Sequence, residues 1–395
     1  MKRIVGLPCV LFSLMLLCCS CFGSRQINEL AIVTAVGLDV GENPEMVKLS
    51  AQIIRPADAR GQTGAPSGGT GQPIYSVSAE GKSIFEAIRN LGRFTSRRVY
   101  WAHNFVIVMH EDYARRGIKD MIDFFTRNHE LRMNTWIAVT PDSPDEVIST
   151  ITGLEVVPGE AVNRLFRDNK IVRLAVGSNM MSLEESFLSP STEPVIAKLQ
   201  LVSRGISNKK PGEHGSLKQV ELAGAAAFKE EKMVGWLTLK ETRGLLFFLE
   251  SLESGIEVVA CPDPSRNLTV EFKNVKFKVT PDVQNQKPQF KIQLTTSADI
   301  VESNCEETPE EILGQIEEKL QQELKSSIES VIKKAQKQYK SDFLKLGDVF
   351  RNSYPEEWRG VKANWDESFA AAKTTVEVEA KIKSAVLKAA GTGVK

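Results

Sequence analysis

The sequence is poor in the residues from which most catalytic and metal sites are built. It has four histidines, and none of them stands at the HExxH spacing or the Cys/His spacing of a zinc site. No Gly-x-Ser-x-Gly nucleophile motif occurs. Gly81-Lys82-Ser83 ends like a phosphate-binding loop, but Ser76 stands where that loop needs a glycine. We therefore predict no catalytic residue and no metal site, with an enzyme that lacks a recognisable motif as the alternative.

An excess of charge of one sign and long apolar runs are also missing. Lys and Arg number 50 and Asp and Glu number 50, so the composition does not favour a nucleic-acid partner. Beyond the first residues, no apolar run is close in length to a membrane-spanning helix, which needs about 20 residues. The 395-residue chain is long enough for two or three globular domains.

Cysteine is nearly absent from the body of the chain. Four of the six cysteines lie in the first 21 residues, which leaves Cys261 and Cys305. In an exported protein these two could form a disulfide, or they could be two buried thiols. The sequence leaves both open, because it does not show whether their Cα atoms come within bridging distance.

The first 20 residues have the pattern of a secretory signal peptide. Lys2 and Arg3 precede an apolar run over residues 4–17, and the small residue Ser20 stands directly before Cys21. In bacterial lipoproteins, a cysteine in that position receives a diacylglyceryl group and becomes the first residue of the mature chain. We predict this lipid on Cys21, where two acyl chains suffice for stable anchoring. We expect no other cofactor.

Other interpretations of this start remain open. Cys18 stands where the lipoprotein motif usually has leucine, and Cys18 and Cys19 compete with Cys21 as the modified residue. An ordinary signal peptide with incidental cysteines is the third alternative.

Hydrophobic periodicity predicts an α+β fold with mixed and antiparallel sheets and packed helices. The predicted strands are 27–40, 46–54, 74–79, 105–109, 134–139, 194–202, 220–229, 233–238, 268–280, 290–300 and 374–386. The predicted helices are 83–91, 111–126, 158–172, short ones capped at Ser143 and Ser182, one capped by Thr238 and Glu241, and one from Thr308 to about Tyr339. The last is the longest, and its apolar stripe predicts a helix laid across the C-terminal sheet.

A polar, glycine-containing stretch suggests where the chain divides. Residues 203–218 are rich in Gly, Lys and polar side chains, so we predict a linker at 204–218. It separates an N-terminal α+β region, 21–203, from a C-terminal α+β domain, 219–390. A further division of the first region near Val157 is an alternative. Residues 58–73 carry five glycines and no large apolar residue, which predicts a mobile surface loop.

Two aromatic residues stand beside two arginines in Arg97-Arg98-Val99-Tyr100-Trp101-Ala102-His103. Such a group could stack a ligand or a nucleic-acid base. The balanced charge of the chain favours instead a strand edge, with its aromatic rings packed on the core.

One block of the sequence runs from Cys21 through Ile27-Asn28 to Gly37-Leu38-Asp39. It resembles the mature start of the C-subunit, or Ger(x)C, lipoproteins of bacterial spore germinant receptors, although Phe22 stands where Trp is usual. The most specific block begins at Gly224 and runs through Gly235-Trp236-Leu237 to Glu241-Thr242-Arg243-Gly244. The positions that match the family pattern are Asn28, Trp101, His103, Gly224, Phe228, Gly235, Trp236, Glu241, Arg243, Gly347, Pro355, Trp358 and Trp365. We expect structural or interface roles for them.

The resemblance implies a lipid-anchored protein on the outer face of the inner spore membrane. It implies two integral-membrane receptor subunits as partners, and it leaves open whether this subunit binds the small-molecule germinant. The resemblance does not say which biochemical activity the protein has, so a scaffold or coupling role in nutrient-triggered germination is the leading hypothesis. We expect no nucleic-acid partner, because the charge of the chain is balanced. The alternative is a solute-binding lipoprotein of a transporter, a class built from alternating βα units in two similar lobes.

Overall fold

Two sheets and their helices make up the computed structural model, which describes residues 29–55, 74–128, 130–150, 155, 157–206, 216–250, 252 and 254–385. The signal peptide, Cys21, Asn28, the predicted loop 58–73 and the middle of the predicted linker lie outside the described residues. The predicted α+β class with mixed sheets, packed helices and a long C-terminal helix is confirmed.

The larger sheet has nine strands: β1 Leu30–Val40, β2 Val47–Ile54, β3 Ile74–Gly81, β4 Arg98–Tyr100, β5 Val106–His110, β6 Trp136–Thr140, β7 Val195–Ile206, β8 Ser216–Lys229 and β9 Lys232–Leu237. Their order in the sheet is β3-β2-β1-β5-β6-β7-β8-β9, with β4 beside β1. The centre of the sheet is parallel (β1, β5, β6, β7) and its flanks are antiparallel. The sequence of β1 is a nearly continuous apolar run, as expected for a strand buried on both faces.

Helices cover both faces of this sheet. The first three helices pack on one face through apolar side chains such as Ile84, Tyr113 and Met121. Two later helices pack on the other face through Val147, Ile148, Val162 and Phe166. The helices are α1 Ile84–Leu91, α2 Glu111–Arg116, α3 Lys119–Arg127, α4 Pro144–Ser149, α5 Pro158–Val172 and α6 Met180–Leu188.

Three helix predictions need correction. The single helix predicted at 111–126 is the pair α2 and α3, because Gly117 has φ 128° and Ile118 N–H donates to the Glu231 carbonyl at 2.9 Å. Ser143 precedes α4 without a side-chain capping bond. The helix expected to start at Ser182 starts at Met180, where Asn179 forms the capping box with Ser182.

The smaller sheet has the order β10-β11-β12-β13. β11 and β12 form a long hairpin whose register shifts between Lys273 and Lys276, which marks a β-bulge. β13 pairs parallel to β12. The elements are α7 Leu239–Leu249, β10 Ser254–Ala260, β11 Asn267–Gln284, β12 Lys287–Ser303, α8 Pro309–Lys333, α9 Leu346–Ser353, α10 Pro355–Val361, α11 Trp365–Ala371 and β13 Lys373–Ala385.

The predicted apolar stripe of the long helix lies in the core that packs against the smaller sheet. Its buried members are Ile312, Ile316, Leu320, Leu324, Ile328, Val331 and Ala335. α8 continues into a π-helical segment, Lys334–Tyr339. A π-helical turn needs an extra residue in the helix and is often found at functional sites.

Strand β8 belongs to both halves of the protein. Its Ala226 and Phe228 lie in the core beneath α1 to α3, whereas Ala225 and Ala227 lie in the core of the smaller sheet and α8. Alternate residues of a strand point to opposite faces, so one strand closes both cores. The predicted linker 204–218 overlaps the ends of β7 and β8, which pair as an antiparallel hairpin. The division into two domains at that linker therefore stays a prediction.

Cys261 and Cys305 form a disulfide, with Cα atoms 5.6 Å apart. The alternative of two buried thiols is wrong. The bond joins the segment before β11 to the segment after β12, so it closes the base of the long hairpin across a sequence separation of 44 residues.

Removing this disulfide is expected to destabilise the protein. Replacing both cysteines by serine should lower the free energy of unfolding by about 2–4 kcal/mol, because an open chain of this length gains conformational freedom when unfolded. Urea denaturation measures the difference, and treating the unmodified protein with a reductant should reproduce it. An unchanged midpoint in both experiments would contradict the prediction.

Candidate functional site at the junction of the two halves

Most of the family-pattern residues in the second half meet at one place. Here the β8–β9 hairpin and residues 189–194 contact the C-terminal segment that begins with the π-helical turn and ends with α11. We call this region the junction.

Asp342 is the centre of the junction. Its side chain is 1% exposed and accepts hydrogen bonds from Leu346 N at 3.1 Å, Gly347 N at 2.7 Å and Trp365 Nε1 at 3.1 Å. Burial raises the pKa of this carboxyl to about 7, and the three N–H donors oppose that rise. Its carbonyl accepts from Glu193 N at 3.1 Å, which ties the N-terminal half to the same residue.

Asp348 makes the second connection. It accepts hydrogen bonds from Ser189 Oγ at 3.1 Å, Ser191 Oγ at 2.8 Å and Thr192 Oγ1 at 2.7 Å. Burial alone would raise the pKa of Asp348, but these hydroxyls and the neighbouring Arg351 hold it below its usual value. One carboxylate of α9 thus holds three hydroxyl side chains of the segment 189–192.

Gly347 lies between these two acids in the sequence, and the space around it admits no side chain. A Cβ at this position would lie 2.5 Å from Ser191 Cβ and 2.8 Å from the Trp365 indole. Trp365 in turn packs against Phe350 and Trp358, with ring centroids 6.0 and 5.1 Å apart. Pro355 is the first residue of α10, which carries Trp358.

The hairpin residues meet the π-helical turn. Tyr339 Oη donates to the Trp236 carbonyl at 2.9 Å, and a Cβ on Gly235 would lie 2.3 Å from that hydroxyl oxygen. Ser341 Oγ donates to the Phe228 carbonyl. The π-helical turn therefore ends at the residue, Tyr339, that contacts β9.

Glu241 and Trp236 extend the contacts on either side. Glu241 forms the predicted capping box with Thr238 and also lies 3.5 Å from Lys334 Nζ. Trp236 Nε1 donates to Glu111 Oε2 at 3.1 Å, and Lys198 Nζ lies 5.2 Å from the centre of the Trp236 ring. Gly224, with φ 94°, sits at a bulge where its N–H donates to the Leu174 carbonyl at 2.8 Å.

The outer side of the junction is a polar cleft of about 510 Å³. Residues 186–194, the β8–β9 turn and residues 362–367 line it, and Glu193, Glu230, Glu231, Asp366 and Glu367 make it acidic. Lys229 Nζ pairs with Asp366 at 2.6 Å beside it. Among the residues that the structure describes, no group of three His, Cys, Asp or Glu side chains could hold a metal ion.

The remaining predicted positions lie elsewhere. Trp101 is 4% exposed and packs in the core of the larger sheet, as predicted for an aromatic at a strand edge. His103 is exposed, with its ring 6.2 Å from that of Tyr100. Arg243 pairs with Glu257 and donates to the Ile256 carbonyl at 3.1 Å, so it holds α7 against β10.

Sequence reasoning gave no role to the two acids that organise the junction. Asp342 begins a block that resembles the family pattern and stands directly before the apolar pair Phe343-Leu344. This position was a local sign of burial, although Asp is almost never fully buried unless it is paired. Asp348 gave no signal of this kind, because its three partners come from residues about 156 to 159 positions earlier.

The fold and the junction together define an α+β protein whose two regions pack as one body. Two family models match it: one described as spore germination protein N-terminal domain, over residues 23–201, and one described as spore germination B3/GerAC like, C-terminal, over residues 223–385. The chain belongs to the Ger(x)C family of spore germination proteins.

Individual relatives agree with this membership. The chain is 26% identical to spore germination protein KC of Bacillus subtilis (strain 168), over 91% of each chain. It is 24% identical to spore germination protein B3 of the same organism, over 94% of this chain and 96% of that protein. The crystal structure of the GerBC protein has a similar fold, with a TM-score of 0.56, 22% identity and coverage of 89% of this chain and 98% of that one.

Proposed function

We propose that this protein is a lipid-anchored subunit of a spore germinant receptor complex and acts there as a scaffold or coupling component. The observation that carries the proposal is the pair of family matches, which lie in order along nearly the whole mature chain. The curated relatives are named as spore germination proteins, which supports the same process for this chain.

Membrane attachment in this proposal comes from a diacylglyceryl group on Cys21. In the part of the chain that the structure describes, no helix has the length and apolarity to cross a membrane. The protein would then lie on the outer face of the inner spore membrane, with two integral-membrane receptor subunits as its partners. The junction suits a coupling role, since the hydrogen bonds of Asp342 and Asp348 tie the two halves of the protein together. In this proposal a displacement of one half would be passed to the other through these bonds.

Affinity capture tests the proposed assembly. The tagged protein is captured from detergent-solubilised spore membranes, and the proteins that accompany it are identified by mass spectrometry. Two polytopic membrane proteins in stable proportion are the expected result. Recovery of an ATPase with a permease would favour a solute-binding lipoprotein instead, and recovery of the protein alone would contradict the receptor assignment.

Substitution at the proposed lipid site tests the anchor separately. Cys21→Ala should move the protein from the membrane fraction of spores to the soluble fraction, because it removes the thiol that carries the acyl chains in this proposal. Cys18→Ala and Cys19→Ala are the matched controls and should leave the protein in the membrane fraction. If a control variant appears in the soluble fraction while Cys21→Ala stays in the membrane fraction, the lipid is attached to the cysteine replaced in that control.

A further inference from the structure

The start of the described chain lies at one defined edge of the larger sheet. β4 runs parallel to β1, with Leu30 opposite Arg98. The residues that lead into these two strands, Glu29 and Arg97, therefore leave the sheet on the same side. α3 also ends on this side, because the parallel strand β6 begins there, with Trp136 opposite Val106.

This edge is rich in exposed arginine. Arg93, Arg97, Arg98 and Arg132 are all exposed. Phe94, which lies between Arg93 and Arg97 in the sequence, is 60% exposed. We call these five residues the arginine edge. Arg132 belongs to it because the segment 130–135 lies beside β4, as shown by the ion pair of Arg98 with Glu130 at 2.8 Å.

The charge of the arginine edge is unbalanced in a chain that is balanced as a whole. Arg93, Arg97 and Arg132 form no ion pair with any residue in the described ranges, whereas Arg98 pairs with Glu130. A surface of this kind attracts a polyanion, and an exposed phenylalanine among the cations can enter an apolar layer behind the anionic groups.

The proposed lipid attachment site lies close to this edge along the chain. Cys21 precedes Glu29 by eight residues. A fully extended chain covers at most about 3.3–3.6 Å per residue, so about 26–29 Å is the greatest distance between them. An acylated Cys21 would hold the arginine edge within that distance of the bilayer surface, and this step rests on the proposed function.

We propose that the arginine edge lies against the headgroups of anionic phospholipids, with Phe94 inserted at the interface. The orientation follows, since the opposite ends of the parallel strands then point away from the membrane. The contact is electrostatic and therefore weakens with salt, whereas the Phe94 contribution does not.

Vesicle binding tests the contact without the lipid anchor. The probe protein is the mature chain without acyl groups, residues 22–395, which contain every described residue. It is mixed with vesicles of phosphatidylcholine alone, or of phosphatidylcholine and phosphatidylglycerol in equal parts, and the bound fraction is measured by sedimentation. We expect binding to the anionic vesicles only, and its loss in high salt.

The variant Arg93→Gln/Arg97→Gln/Arg98→Gln should weaken binding to anionic vesicles by at least about 10-fold, because each cation near such a surface contributes favourably. The matched control is Arg115→Gln/Arg266→Gln/Arg359→Gln, which removes three exposed arginines from other surfaces and should bind like the unmodified protein. Phe94→Ser should lower the binding that remains at intermediate salt. Circular dichroism of each variant shows that the fold is retained.

Three results would overturn the proposal: no binding of the unmodified protein to anionic vesicles, equal binding to neutral vesicles, or equal losses in the two triple variants. If the first triple variant binds vesicles normally but no longer captures the membrane proteins from spores, the edge contacts a protein instead. The assay contains neither acyl groups nor receptor subunits, so its failure is distinct from a failure of Cys21 anchoring or of the receptor assignment.

Discussion

Gly244→Ala is expected to lower the free energy of unfolding by about 3 kcal/mol or more. Gly244 in α7 faces α8 so closely that a Cβ would lie 2.2 Å from the Ser327 carbonyl oxygen and 2.6 Å from its carbonyl carbon. These are backbone atoms in the middle of a long helix, so the two helices would have to move apart, and such overpacking is costly. Chemical denaturation followed by circular dichroism measures the change.

Gly314→Ala is the matched control. Gly314 lies in α8 itself, and a Cβ there would have no atom within 4 Å. Because alanine restricts the unfolded chain and favours helix, this variant should be more stable by about 0.5–1 kcal/mol. The same substitution thus has opposite signs at two helical positions, and destabilisation of equal size at both would refute the close packing of α7 on α8.

Asp342→Ala is expected to cost about 3–6 kcal/mol. It removes the acceptor of Leu346 N, Gly347 N and the Trp365 indole together, and each buried donor left without a partner costs about 1–3 kcal/mol. The control is Asp168→Ala, since Asp168 is exposed on α5. Thermal unfolding of both variants measures the difference, and equal midpoints would contradict the role of Asp342.

The same acid predicts a pH dependence. The pKa of Asp342 is raised from 3.8 to about 7 by burial, so the folded state holds this proton more tightly than the unfolded state does. Its contribution to stability is therefore fully present below about pH 4 and is lost as the pH rises to about 7. The difference in unfolding free energy between the unmodified protein and Asp342→Ala should shrink over that range, and a difference that grows with pH would show that the carboxylate form is the one stabilised.

Local patterns predicted the elements that local forces determine. The bounds of α5, the capping box of Thr238 and Glu241, and the buried stripe of α8 all follow from residues within a few positions of each other. The bulge in β11 also has a local sign, because the apolar alternation of the strand breaks between Phe272 and Val275.

Features set by distant partners were not predictable in this way. The separation of α2 from α3 depends on a bond from Ile118 to Glu231, and the short strand β4 exists because β1 offers it an edge. At the candidate site, Gly235, Trp236 and Glu241 were selected by resemblance, but their partners Tyr339 and Lys334 lie about 100 residues away. No local pattern reports such a distance in the fold.

The strand that closes both cores limits how members of this family can exchange parts. A chimera whose breakpoint lies between residues 201 and 223, the gap between the two family matches, takes β9 and at least the second half of β8 from one parent and at least the first half of β7 from the other. The side chains of Ala226 and Phe228 would then meet a foreign core, and a fragment ending at β7 would expose the unpaired edge of a strand of 12 residues. A breakpoint between Leu237 and Thr238 keeps the nine-stranded sheet from a single parent and leaves the helix cap with its helix.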